Sequence, residues 1–145
     1  MMKGYAILTR KHRDTGEEIV DRFENLILNG FRTQEQHLIA GDGVATKYVD
    51  RIGFGTSGVA AAVTDAALTG GFQATITTIA YPAINEVALT ATMGYTEGNL
   101  VAPLNLYQEM GLYCFDGVLA TRLVFESMHK SSLWQWTVEW HITWT

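Results

Sequence analysis

The stretch Leu133-Trp134-Gln135-Trp136-Thr137-Val138-Glu139-Trp140-His141-Ile142-Thr143-Trp144-Thr145 decides the fold of this chain. Its alternate positions carry Trp134, Trp136, Val138, Trp140, Ile142 and Trp144. The intervening positions carry Leu133, Gln135, Thr137, Glu139, His141, Thr143 and Thr145. Period-two alternation of this kind places one set of side chains on each face of a β-strand. All four tryptophans of the chain fall on one face. Each indole removes roughly 150–250 Å² from water when buried, worth several kcal/mol at about 25 cal/mol per Å². The strand is therefore expected at the centre of a sheet, its tryptophans in the core, facing a second layer built by the rest of the chain.

Working outward, Val118–Ser127 reads as the preceding strand, with Leu119, Leu123 and Phe125 directed inward. Asp116-Gly117 is a two-residue hairpin signal that joins it to a strand over Tyr107–Phe115. Phe72–Tyr81 and Glu86–Tyr95 form two more strands about the turn Pro82-Ala83-Ile84-Asn85. The segment Gly55–Gly71 is rich in Gly, Ala, Ser and Thr and reads as a surface excursion, with a single turn starting at Thr64-Asp65 and ending at Leu68. Tyr48–Phe54 is a strand. Phe31–Ala40 has apolar residues at helical spacing and reads as the one helix of note, capped by Asn29 and stopped by Gly41. Gly4–Arg10 and Glu17–Glu24 form an amino-terminal hairpin.

About eight strands with no β–α–β alternation predict antiparallel sheets. The expected fold is all-β: a two-sheet sandwich, jelly-roll-like, or a barrel. Residues 1–145 make one domain by length, and the hairpin over about 4–24 is expected to extend toward partners.

Charged residues make up 17% of the sequence against 48% hydrophobic, fewer charges than the roughly 25% usual for soluble domains. Two accounts fit: a surface partly covered by partners, or a β-rich surface of Thr and Gly. Net charge is −5, and no basic stripe offers a footprint for nucleic acid. Arg10, Lys11, His12 and Arg13 are followed at once by acidic residues. No apolar run reaches the length of a membrane span, and Tyr5–Leu8 is too short for a signal-peptide core. Cys114 is the only cysteine, so no internal disulfide forms, and it reads as a small buried hydrophobe.

No motif reaches a catalytic signature. Asp14-Thr15-Gly16 spells the aspartic-protease tripeptide, but that chemistry needs two carboxylates sharing a proton, and the flanking charges mark a turn. Gly55-Thr56-Ser57-Gly58 lacks the spacing of a nucleophile turn. His12, His37, His129 and His141 have no second ligand at metal spacing. Glu139 and His141 share a strand face, either as an acid–base or ligand pair or as the solvated side of an amphipathic strand. Catalytic residues, metal and cofactor are expected to be absent. The tryptophan ribbon also admits a sugar-stacking platform, although Val138 and Ile142 among the rings favour core.

The order of features carries a resemblance. Asn25-Leu26-Ile27-Leu28-Asn29-Gly30 enters the helix, and Arg51-Ile52-Gly53-Phe54-Gly55-Thr56-Ser57-Gly58 precedes Thr64-Asp65-Ala66-Ala67-Leu68. Glu109-Met110-Gly111-Leu112-Tyr113 leads to Phe115-Asp116-Gly117-Val118, and His129-Lys130 precedes the last strand. From Asn25 onward the chain resembles small virion proteins of tailed bacteriophages, most of all the jelly-roll cement (decoration) proteins of phage heads. Tyr113 stands where the pattern has Phe, and Val59–Val63 lacks the usual proline.

The resemblance implies a structural, non-enzymatic protein on the capsid surface of a virion, made in the host cytoplasm. Its partners would be the major capsid protein and sister copies in a homodimer or homotrimer, with no nucleic acid or membrane. Contacts are expected on the amino-terminal hairpin (Tyr5, Ile7, Arg10, Arg13), on the small-residue loop (Thr56, Ser57, Val59, Val63) and on Asn99–Leu106 (Leu100, Leu104). The runner-up is a tail, baseplate or fibre-adaptor protein, in which related patterns also occur, and a glycan-binding jelly roll is an independent third class.

Overall fold

The computed structural model describes residues 1–101 and 106–145. Its strands are β1 (Met2–His12), β2 (Glu18–Glu24), β3 (Leu26–Ile27), β4 (Val49–Gly55), β5 (Phe72–Ala83), β6 (Glu86–Met93), β7 (Tyr107–Cys114), β8 (Leu119–Met128) and β9 (Trp134–Trp144). Two helices, α1 (Asn29–Ala40) and α2 (Val44–Lys47), lie between β3 and β4. The fold is all-β and antiparallel, as the alternation predicts.

The strands form one sheet in the order β2-β1-β9-β6-β5-β4-β7-β8-β3, nearly closed into a barrel. Its two layers are halves of this sheet. At one side β5 passes between them: Phe72–Thr75 pair with β4, and Ile76–Ala83 pair with β6. At the other side the chain turns the corner at Asn25, leaving β2 for β3, and the Asn25 N–H donates to the Gly4 carbonyl. One shared strand, β5, and one covalent corner between β2 and β3 thus connect the two halves.

β9 runs between β1 and β6 and pairs with both over nearly its whole length. Trp136, Val138, Trp140 and Ile142 are buried against Leu8, Phe54, Met93, Tyr107, Met110 and Leu112. Phe54, Tyr107 and Trp136 meet at ring-centroid distances of 5.6–5.9 Å with tilted or edge-on planes, the arrangement that the ring quadrupole favours. Leu123 and Phe125 are buried in this core on the opposing half, whereas Leu119, expected inward with them, is buried in a separate cluster with Leu28 and Tyr113. The indole N–H groups of Trp136 and Trp140 meet no acceptor among the described residues, a cost that the buried ring area offsets.

Trp144 departs from the expected core position. It is 39% exposed at the open end of the barrel, where its Nε1 lies 3.3 Å from Glu35 Oε1 of α1. Trp134 at the other end is half-buried, edge-on to His12. Asn29 is not the helix cap: Leu28 holds that position, and the Asn29 N–H donates to the Val63 carbonyl, which places Asn29 in the first turn. Gly41 ends α1 in the left-handed conformation, as expected. The turn near Thr64 spans Ala62–Asp65 and does not continue to Leu68, which packs against Tyr113 and Leu119 instead.

In the amino-terminal hairpin β1 is an interior strand flanked by β2 and β9, and β2 is one of the two end strands of the sheet, β3 being the other.

Candidate functional site: the surfaces offered to a partner

The loop Gly55–Gly71 looks free in sequence, yet it lies clamped over the outer face of the β4–β7–β8 half. Gly53 and Gly111 on that face leave room for Leu68: a Cβ on Gly53 would stand 2.9 Å from Leu68 Cδ1. The Leu68 N–H donates to the Tyr113 hydroxyl at 2.8 Å. Beneath the loop lies a buried ion pair, in which Arg122 Nε donates to Glu109 Oε2 at 2.7 Å. Glu109 Oε1 accepts from the Ser57 and Thr69 N–H groups at 3.2 and 2.6 Å, pinning both ends of the loop. Arg122 reaches Asp65 Oδ2 and the Val59 carbonyl, both at 2.8 Å.

The Ala62 N–H holds the Asp65 carboxyl below the usual carboxylate range; partial burial opposes this, and the Arg122 guanidinium adds to it. Every charge in this cluster has a partner, as burial demands. Sequence reasoning passed over Glu109 and Arg122 as anchors. Their signal was a lone acid and a lone base on adjoining strands of one hairpin, two pairs apart in register.

The outer face of β1–β9–β6 carries a second polar cluster. His141 is buried, stacked on Tyr5 at 4.5 Å, with Arg22 lying 3.8 Å over the same tyrosine ring. Its Nδ1 lies 2.5 Å from Glu86 Oε1, and its Nε2 lies 2.5 Å from Glu139 Oε1. Both ring nitrogens are thus occupied by carboxylates, leaving neither for a substrate. The face that carries Glu139 and His141 is therefore not simply solvated: the cross-strand acid Glu86 and Tyr5 close over the imidazole. Among the described residues no group of three or more His, Cys, Asp or Glu side chains is placed to hold a metal ion.

The other chemical candidates resolve as local structure. In the β1–β2 turn the Asp14 and Thr15 N–H groups donate to His12 Nδ1, and Arg13 pairs with Asp14 at 3.0 Å. The Ser57 hydroxyl accepts from the Val59 N–H within its own turn. His37 meets Asp42, and His129 meets the Leu100 carbonyl. Cys114 is buried, and burial pushes its thiol up to about 11, which makes it unreactive.

The residues expected to contact partners scatter. Tyr5 and Ile7 lie half-buried on the outer face of β1. Arg10 is tied to Asp21 at 3.1 Å, and Arg13 is exposed in the turn. Thr56 and Ser57 are half-buried at the loop's start, while Val59 and Val63 are exposed along it. Leu100 packs on the core, and Leu104 lies outside the described residues.

A surface that the sequence reading did not single out gathers at the end of the barrel where Trp144 emerges. There β5 leaves β4 behind, and the layers open into an apolar groove of about 270 Å³. Ile79, Tyr81 and Trp144 form one wall, and Leu38 and Tyr48 the other. Tyr48 is itself stacked on the exposed Phe115 at 5.7 Å. The β5–β6 hairpin stands beside the groove with Ile84 fully exposed at its tip. The hairpin is fixed to β9, since the Asn85 side-chain amide donates to the Trp144 carbonyl and the Trp144 N–H to the Asn85 carbonyl. The uncharged run Ile79-Ala80-Tyr81-Pro82-Ala83-Ile84 was the available signal.

Compared with family models, with curated proteins and with solved structures, the chain matches none.

Proposed function

We propose that this chain is a structural virion protein of a tailed bacteriophage, binding the outside of the capsid as a cement protein and acting without catalysis. The observation that carries this reading is the apolar end of the barrel, where Tyr48, Ile79, Tyr81, Ile84, Phe115 and Trp144 are exposed together. Contiguous exposed apolar surface of this kind marks a macromolecular contact. The motif order from Asn25 to the last strand, which resembles the cement proteins, supplies the identity of the partner.

The mechanism is linkage. A protein that binds only the assembled shell stabilises it by its binding free energy, and attachment at several symmetry-related sites multiplies the effect. A rigid barrel with a clamped loop suits this task, because little order has to be gained on binding.

Stoichiometry in purified virions tests the proposal. A cement protein is present in numbers comparable to the shell protein, and gel densitometry reads this directly. A handful of copies per particle favours a tail, baseplate or fibre adaptor, and absence from the particle removes the virion reading altogether. Glycan binding is favoured by one observation, the exposed aromatic trio Tyr48, Tyr81 and Trp144 around a groove. It predicts quenching of tryptophan fluorescence by sugars, and no response across a glycan array excludes it.

A further inference from the structure

The β5 edge has an unusual character. Ile76–Ala83 pair with β6 on one side only; β4 accompanies β5 no further than Thr75. The other side faces the opening between Ile79 and Tyr48. Natural edge strands are protected by charges, prolines, bulges or covering segments. Here no charged residue occurs between Asp65 and Glu86. Pro82 and the register shift between Ala80 and Ala83 cap the tip and a second shift at Thr77 marks the start, but Thr78–Tyr81 between them carry neither proline nor charge.

We propose that this edge is where a second copy of the chain docks, β5 against β5 in antiparallel register about a twofold axis. Three features select a copy of this chain over an unrelated partner. First, the edge is self-compatible. Two copies that each carry a net charge of −5 repel one another, and a contact on the uncharged run 66–85 keeps their acidic groups apart. Second, the surface holds both a projection and a recess: Ile84 stands proud beside an apolar groove of about 270 Å³, and a twofold contact is built from one patch meeting itself.

Third, the area is of the right order. At roughly 150–250 Å² per aromatic side chain, the exposed fractions of Tyr48, Tyr81 and Trp144 alone offer on the order of 300 Å². Leu38, Ile79 and Ile84 extend this toward the roughly 800 Å² a side of a stable dimer. Pairing continues the hydrogen-bonded ladder of one subunit into the other. It also covers Trp144, the one tryptophan of β9 that the fold leaves open. This inference uses the same apolar end of the barrel that carries the proposed function and names a sister copy as its occupant; mass and hydrogen exchange test it separately from the stoichiometry in virions.

Sedimentation equilibrium of the purified full chain tests it. The expected mass is twice 16.1 kDa, with those amides of Thr77–Tyr81 that point away from β6 protected from hydrogen exchange at high protein concentration and released on dilution. Thr78→Lys places a charge on the exposed outer face of the edge without entering the groove, and Ile84→Asp removes the projection. Each is expected to return the mass to that of the monomer while the far-ultraviolet circular dichroism stays that of a β-protein. A monomer of the unmodified chain at high micromolar concentration overturns the proposal. So does a trimer, or an oligomer that both variants leave intact. If a folded monomer instead binds phage shells through this edge, the occupant is a different protein and the self-pairing is wrong.

Discussion

At the residue scale, stability rests on a few buried charges as well as on the core. Arg122 and Glu109 are nearly inaccessible and satisfy each other. Removing one member of such a pair strands the other in a dry site, at a cost of about 3–5 kcal/mol. Arg122→Met is therefore expected to lower the unfolding free energy read from urea titration by that amount and to make the Gly55–Gly71 loop cleavable by protease. Lys130 is the second case. It is fully buried, and its ammonium donates to the Gly94 carbonyl at 2.9 Å, Asn99 Oδ1 at 2.8 Å and the Ser131 carbonyl at 3.2 Å. Burial pushes its pKa down to about 8 from the ordinary 10.5. Below pH 8 both folded and unfolded chains hold the proton, and this group's contribution is constant. Between about 8 and 10.5 the unfolded chain binds more proton than the folded one, so stability rises with pH across that window. Chemical denaturation at a series of pH values checks this: the rise is expected in the unmodified chain and absent in Lys130→Met.

At the element scale, β9 shows how one strand samples several environments. Trp140 is fully buried, whereas Trp144, two turns of the same alternation further on, is 39% exposed. Trp140→Ala is expected to cost about 3–5 kcal/mol through lost transfer energy and a cavity. Trp144→Ala at the open end of the barrel is expected to cost less, about 2 kcal/mol in the isolated subunit, because part of the ring is already in water and no closed cavity is left. Equal losses in denaturant titrations of the two variants contradict the placement of Trp144. The β7–β8 hairpin is another element whose role exceeds its local signal. Asp116-Gly117 turns the chain as the dipeptide predicts, and Asp116 also receives the Gln34 side-chain amide of α1 at 2.7 Å and the Lys47 ammonium of α2 at 3.1 Å. Partial burial pushes its carboxyl up, but these hydrogen bonds outweigh it and hold the carboxyl below its usual range.

At the scale of the whole molecule, topology governs folding. The longest ladder joins Met2–His12 to Trp134–Trp144, the two extremes of the sequence. Contacts so distant along the chain slow the search, and folding in roughly milliseconds to seconds is expected. All four tryptophans sit on β9, so stopped-flow tryptophan fluorescence reports the docking of this strand. A microsecond phase carrying the full amplitude contradicts a β9 that docks only when β1 and β6 are in place.

The sequence alone determined the all-β class, most strand positions, the one longer helix with its glycine stop, the Asp-Gly hairpin and the buried tryptophan face of β9. These follow from periodicity and local turn chemistry, which act over a few residues and are written in order along the chain. Only the tertiary structure decided that β5 joins two layers into one sheet. It also decided that Glu109 and Arg122 clamp a loop that looks free, that Glu86 closes on His141, and that Trp144 emerges at the open end of the barrel. Each of these depends on which strands become neighbours and on how far each layer extends. Such relations are made by residues tens of positions apart, and the alternation of side chains along any one strand does not encode them.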